Sequence, residues 1–78
     1  MSTEILTRKV VQASYEASLH NLKEIKSSDT KLFEHAKAGR KMLEMFWNAF
    51  DKDETNHEAA MQVKNLEKVC SDLRECAK

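Results

Sequence analysis

The basic stretch HAKAGRK, at residues 35–41, holds the side chains best suited to bind phosphate. Two lysines lie four residues apart, an arginine lies beside the second, and a histidine is near, so a helix would bring several cations to one side. Such a cluster is a candidate site for nucleic acid or a nucleotide. Acidic residues flank the stretch, and a solvated helix face is the simpler interpretation. The candidate residues are His35, Lys37, Arg40 and Lys41.

A second stretch, DKDETNHEAAMQ, begins like a calcium-binding loop. Asp51, Asp53 and Thr55 occupy alternate positions, as oxygen ligands do in such loops. The sixth position is Asn56 where the loop needs glycine, and the twelfth is Gln62 where it needs a bidentate glutamate. The sequence therefore argues against a calcium site.

Other patterns that could support chemistry are weak. Glu16, His20 and Glu24 share one helix face, but a solvated polar face with mild ion pairing explains this spacing. The chain has no phosphate-binding loop, dinucleotide fingerprint or nucleophile elbow. A short helical chain also offers few loops on which to build a water-excluding active site. We expect no enzyme activity, no cofactor and no metal.

The two cysteines, Cys70 and Cys76, lie six residues apart on one predicted helix. Six residues turn a helix by about 600° and separate the side chains by roughly 9 Å along its axis. A disulfide between them is incompatible with that helix. We expect reduced thiols packed as small apolar groups.

The elements that position these residues are predicted to be three helices in one domain, residues 1–78. Apolar spacing places them over about residues 3–26, 31–51 and 56–77. Ser2 or Thr3 can cap the first, and Thr55 followed by Glu58 is a capping box for the third. The chain has no proline and a single glycine, so turns are scarce. The fold class is all-α, either an antiparallel helical hairpin or a three-helix bundle.

Apolar residues in steps of three and four define one buried stripe on each of the last two helices. Ala36, Ala38 and Gly39 also predict a small-residue patch where another helix comes close. The stripe of the second helix is Leu32, Ala36, Gly39, Leu43, Phe46 and Phe50. The stripe of the third is Ala59, Val63, Leu66, Cys70, Leu73 and Ala77, widened by Val69 and Cys76.

Apolar residues exceed what these stripes require. In the stretch GRKMLEMFWNAF, residues 39–50, the apolar residues from position 42 onward fill a helical arc of roughly 200°. A helix on the outside of a bundle needs an apolar arc of somewhat over 100°. The first helix has two apolar faces, one with Leu6, Val10, Ala13 and Ala17, the other with Val11, Tyr15, Leu19, Leu22 and Ile25. The candidate protein-interface residues are Met42, Met45, Phe46, Trp47, Phe50, Tyr15 and Leu19.

Two interpretations of this surplus remain open. The second helix lies centrally between the first and third and buries both flanks by itself, or a second chain covers the excess. The second interpretation predicts a non-catalytic protein-binding module, such as an adaptor, co-chaperone or inhibitor. We expect it to act through an apolar helix face and to self-associate as a homodimer. The alternative function is nucleic-acid or nucleotide binding by the basic face.

The overall composition limits the partners. The formal net charge of the 78 residues is zero, which disfavours a general polyanion binder but allows a local basic patch. No apolar run has the length of a transmembrane helix, and no basic-then-apolar leader precedes a cleavage site. We therefore expect a cytoplasmic protein with no membrane partner.

Overall fold

Three helices make up the fold in the computed structural model, which describes residues 6–25, 28 and 30–76. They are α1 (Arg8–Lys23), α2 (Thr30–Lys52) and α3 (His57–Cys76). No strand occurs among the described residues. The all-α prediction is confirmed, and of its two forms the structure has three packed helices rather than a two-helix hairpin.

The first helix begins later than the sequence predicts. Leu6 and Thr7 are not helical, and the Thr7 hydroxyl accepts a hydrogen bond from the Val10 N–H at 3.3 Å, which makes Thr7 the N-cap. Threonine satisfies an otherwise unpaired N–H of the first turn in this way. The predicted caps, Ser2 and Thr3, lie outside the described residues.

The cap of α3 also differs by one residue from the prediction. The Asn56 side-chain oxygen accepts a hydrogen bond from the Ala59 N–H at 3.1 Å, so Asn56 is the residue that caps the helix. Thr55 is unavailable because its hydroxyl and its N–H both donate to the Asp53 carboxylate. Thr55, which the capping-box pattern predicted as the N-cap, therefore stabilises the turn before the helix instead.

Contacts between helices define an up-down-up arrangement. Arg8 at the start of α1 pairs with Asp51 at the end of α2, so these helices run antiparallel. Arg74 near the end of α3 donates to Asn21 near the end of α1 at 3.2 Å, so α1 and α3 run parallel. α3 packs extensively along both other helices, whereas α1 and α2 share a much smaller contact. The central helix is therefore α3, and of the two open interpretations the one that places the second helix centrally is wrong.

The core is formed by the apolar stripes of α2 and α3 together with one face of α1. The most deeply buried large side chains include Leu43 and Phe50 of α2 and Val63 of α3. Burying each such side chain stabilises the fold by roughly 1.5–3 kcal/mol. The buried apolar residues are Val11, Leu22, Ile25, Ala36, Leu43, Phe50, Ala59, Ala60, Val63, Leu66 and Cys70.

The other apolar face predicted for α1 remains largely at the surface. Val10 and Ala13 are exposed, and Leu6 and Ala17 are half-buried. In α3, Val69 and Cys76 are exposed, so they do not widen the buried stripe as predicted. These small or isolated groups are ordinary components of a protein surface.

Gly39 does not mark a close approach between helices. Its backbone φ is not positive, and a methyl group added at its Cα would have no atom of the neighbouring elements within 4 Å. Ala38, which the sequence placed in the same small-residue patch, is exposed. Ala36 and Gly39 are buried, and Ala36 belongs to the apolar core, but the close approach of another helix predicted for this patch is wrong.

Over the residues described, no helix combines the length and the apolar character needed to cross a bilayer.

Candidate functional site

An exposed methionine face follows the second half of α2. Met42, Met45, Phe46 and Ala49 lie at i, i+3, i+4 and i+7, so they form one side of the helix. Met42 is 47% exposed and Met45 is 57% exposed, while Phe46 and Ala49 are half-buried. We call these four residues the Met face.

A shallow pocket of about 200 Å³ lies beside the Met face, between α2 and the start of α3. Met45, Phe46 and Ala49 form one side, and Asn56, Glu58 and Ala59 form the other. The Asn56 cap fixes the first turn of α3 and thereby the position of Ala59. The pocket is an apolar depression between two helices, the shape that accepts a side chain from a partner helix.

The connection beside this pocket carries negative charge. Residues 51–58 contain four acidic residues against one lysine. Hydrogen bonds from the Thr55 hydroxyl and then from its N–H lower the pKa of the Asp53 carboxyl. Asp53 therefore remains ionised, because both bonds favour the charged form. Asp51 is already paired with Arg8.

The predicted interface residues Tyr15, Trp47 and Phe50 belong to a different environment. The rings of Tyr15 and Trp47 stack with centroids 4.8 Å apart and an interplanar angle of 10°. Trp47 also lies 6.0 Å from the Phe50 ring, and the Arg8 guanidinium lies 5.6 Å from the Trp47 ring. Phe50 is fully buried, and Tyr15 and Trp47 are half-buried between α1 and α2. This cluster holds the helices together, and only Met42, Met45 and Phe46 of the predicted interface share the Met face.

Leu19, the remaining predicted interface residue, lines a second pocket of about 170 Å³ between α1 and α2. Two predicted phosphate-binding residues, Lys37 and Arg40, line the same pocket. Lys23 of α1 joins them there. The sequence pattern missed Lys23 because it belongs to another helix, and only the packing of α1 against α2 brings it close.

The other two predicted phosphate-binding residues do not join this pocket. Lys41 is exposed and lies on the same side of α2 as Lys37, but it is not part of the lining. His35 lies about 160° around the helix from Lys37, because each residue advances an α-helix by about 100°. Arg40 is partly engaged by Glu44, with Nε and the carboxylate 3.3 Å apart. Of the four residues predicted to bind phosphate, the structure therefore brings only Lys37 and Arg40 to the pocket.

The seam between α1 and α3 contains two buried serines that the apolar pattern did not mark. Ser14 and Ser18 are buried, and the Ser18 hydroxyl donates to the Ser14 carbonyl at 2.7 Å. Burial raises the pKa of the facing Cys70 thiol, and a hydrogen bond with Ser18 opposes this in part. A signal was present, since Val11, Ser14, Ser18 and Leu22 share helical spacing.

The thiols have different environments. Cys70 and Cys76 are both free, and Cys70 is buried while Cys76 is exposed. The prediction of a packed apolar thiol is therefore right for Cys70 and wrong for Cys76. A thiol with a raised pKa carries little thiolate near neutral pH, so Cys70 is a packing residue and not a nucleophile.

The possible metal ligands are dispersed. Nε2 of His20 lies 3.7 Å from the Glu24 carboxylate, an ordinary pair of surface side chains. Asp51 and Asp53 are held by Arg8 and Thr55 and do not converge on a common centre. Within the described ranges, no three side chains of His, Cys, Asp or Glu are grouped to hold a metal ion.

Comparisons with models of protein families, with curated proteins and with solved structures found no match to this chain.

Proposed function

We propose that the protein is a non-catalytic binding module that docks a helix of a partner protein on the Met face. The observation that supports this most directly is the exposure of Met42 and Met45 beside an apolar pocket. Methionine side chains are flexible and polarisable, so they adapt to the surface of a partner helix. Two neighbouring exposed methionines on one helix face form an apolar surface, and a partner that covers it removes that surface from water, which favours binding.

The chemistry around the Met face favours a basic amphipathic helix as the occupant. Glu58 lines the pocket, and Asp53 and Glu54 lie in the connection between α2 and α3 that leads to it. None of the three has an ion pair with another described residue. A partner helix with apolar residues at i, i+3 and i+4 would fill the pocket, and lysines at one end would face these carboxylates. Complementary charge of this kind raises the association rate and fixes orientation.

The homodimer predicted from the sequence belongs to the same proposal. A second copy of the chain offers its own Met face, and two such faces would cover each other in the absence of a partner. Light scattering over a concentration series measures this directly. We expect twice the chain mass for the natural protein and the single-chain mass for a variant in which Met42 and Met45 are glutamine.

The structure also supplies a control for the partner interaction. Met61 is 55% exposed, close to the 57% of Met45, but lies on α3 and does not line the pocket. Glutamine resembles methionine in length and helix propensity, so these exposed substitutions should preserve the fold. Met45→Gln and Met61→Gln therefore remove similar amounts of exposed apolar surface, but only Met45→Gln alters the lining of the pocket.

The experiment uses two synthetic amphipathic helices of about 20 residues with the same leucine stripe, one with lysines and one with glutamates on its polar face. We expect the lysine peptide to bind more tightly, and Met45→Gln to weaken that binding about tenfold, as a central contact does. Met61→Gln should leave the affinity within about twofold of the natural protein. Equal losses for both variants, or equal binding of both peptides, would contradict the proposal.

A further inference from the structure

The second pocket, of about 170 Å³, lies between the end of α1 and the first half of α2. Its floor is apolar and contains Leu19 and Leu22 of α1, Ile25 just after that helix, and Phe33 and Ala36 of α2. The pocket exists because α3 holds both helices while α1 and α2 share little contact with each other. It faces roughly the opposite side of α2 from the Met face, since the residues lining the two pockets differ by about 180° around the helix.

Three cations surround this apolar floor. Lys23, Lys37 and Arg40 line the pocket, and none of the described residues that line it is acidic. Arg40 is paired with Glu44, while Lys37 lies 5.8 Å from the centroid of the Phe33 ring. Across the part of the chain that the structure describes, Lys23 and Lys37 are not paired with a carboxylate. Glu24, which follows Lys23 in the sequence, lies beside His20 instead.

The size of the pocket restricts its ligand. Sites for drug-sized molecules and cofactors typically enclose about 300–1,000 Å³, and this pocket is well below that range. One or two aliphatic side chains fit such a volume. The apolar floor requires an apolar group to be buried, and the cations above it require negative charge at the edge of that group.

We propose that this pocket binds an acidic peptide segment, with an apolar side chain on the floor and flanking carboxylates paired with Lys23 and Lys37. A nucleic acid satisfies only half of this arrangement. Phosphates would meet the cations, but the floor is mainly aliphatic, and its one aromatic ring, Phe33, is half-buried beneath Lys37. The neutral net charge of the chain also lacks the long-range attraction typical of nucleic-acid binding.

This site is independent of the Met face, so the two proposals are tested separately. The probe is a fluorescently labelled peptide with two central leucines and two glutamates on each side. A second peptide replaces the leucines with serines and keeps every charge. A third probe is a labelled oligothymidine of about ten nucleotides.

We expect the leucine peptide to bind in fluorescence anisotropy at low salt, and the serine peptide to bind at least about tenfold more weakly. The double variant Lys23→Gln with Lys37→Gln should weaken binding of the leucine peptide about fivefold, as expected for partly exposed charge pairs. Lys31→Gln with Lys41→Gln is the matched control, because it also removes two exposed lysines, neither of which lines the pocket. Met45→Gln should also leave this binding unchanged.

Three outcomes would overturn the inference. Equal binding of the leucine and serine peptides would show that the apolar floor is not used. Equal effects of the control pair, Lys31→Gln with Lys41→Gln, and of the Lys23→Gln with Lys37→Gln pair would show that any surface cation suffices. Tighter binding of oligothymidine than of the leucine peptide would assign the cations to nucleic acid. Circular dichroism of each variant separates these results from loss of the fold.

Discussion

Tyr15 of α1 and Trp47 of α2 stack face to face, with ring centroids 4.8 Å apart and planes 10° from parallel. This is the principal aromatic contact across the smallest of the three helix interfaces. Offset or stacked aromatic pairs add about 0.5–1.5 kcal/mol to the effect of area burial alone. The pair contributes one local contact between two helices that otherwise share little contact.

Trp47→Ala should therefore destabilise the fold by about 2–4 kcal/mol, since it removes the stacking and much of the buried area of the indole. Urea unfolding followed by circular dichroism at 222 nm measures the change, because the substitution removes the only tryptophan of the chain. Tyr15→Phe retains the ring and should cost much less. A stable Trp47→Ala protein that had lost only self-association would instead place Trp47 in an interface between chains.

Gly39→Ala should stabilise the protein by about 0.5–1 kcal/mol. The glycine is helical, and the added methyl group meets no atom of the neighbouring elements within 4 Å. For a domain of this size the melting temperature should rise by roughly 2–8 °C. Thermal unfolding followed by circular dichroism tests this, and a fall in melting temperature would mean that the neighbouring helix needs this space.

The two thiols should react at very different rates. Near pH 8 an aromatic disulfide reagent should modify Cys76 rapidly, whereas Cys70 should react only on the timescale of unfolding, because it is buried and its pKa is raised. Cys76→Ser should abolish the fast phase, and Cys70→Ser should not. Rapid modification of Cys76→Ser would contradict the packing of α1 against α3.

The same thiol gives a pH dependence with a definite sign. A pKa raised in the folded state means that folding holds the neutral thiol. The stabilisation from this neutral form is complete below the ordinary thiol pKa of about 8.5 and is lost as the pH rises through the higher folded value. Natural protein should lose more stability than Cys70→Ala between about pH 8 and 10, as measured by urea unfolding.

Thr55→Val should raise the pKa of Asp53 toward its ordinary value, because valine keeps the shape of threonine and removes the side-chain hydrogen bond that lowers it most. Carboxyl-carbon NMR during an acid titration measures this pKa directly. The Thr55 N–H still donates to Asp53, so part of the lowering should remain. An unchanged Asp53 pKa would show that the turn does not depend on the hydroxyl.

The sequence predicted the buried stripe of α2 well because large aliphatic and aromatic residues recur there at helical spacing. Leu43 and Phe50 are large apolar side chains, and packing in the core removes all of their surface from water. Local capping was less predictable. Thr55 and Asn56 are both good caps, and the choice between them depends on where Asp53 directs its carboxylate.

The order of the helices in space was not predictable from apolar content. The α1–α3 seam uses Ser14 and Ser18, whose small polar side chains do not register in an apolar pattern. Likewise, the sequence could not predict the second pocket, because its cations Lys23 and Lys37 lie on different helices. Trp47 looked like surplus surface only because the sequence does not show that α1 packs Tyr15 against it.

The Met face is tested most directly by methyl NMR of protein labelled at its methionines, during titration with the lysine-faced amphipathic peptide. The chain has four methionines, so each methyl signal can be assigned by substitution. We predict that the Met42 and Met45 signals shift together and saturably, while the equally exposed Met61 signal does not move. A shift confined to Met61, or no shift at saturating peptide, would contradict the assignment of the Met face as the docking surface.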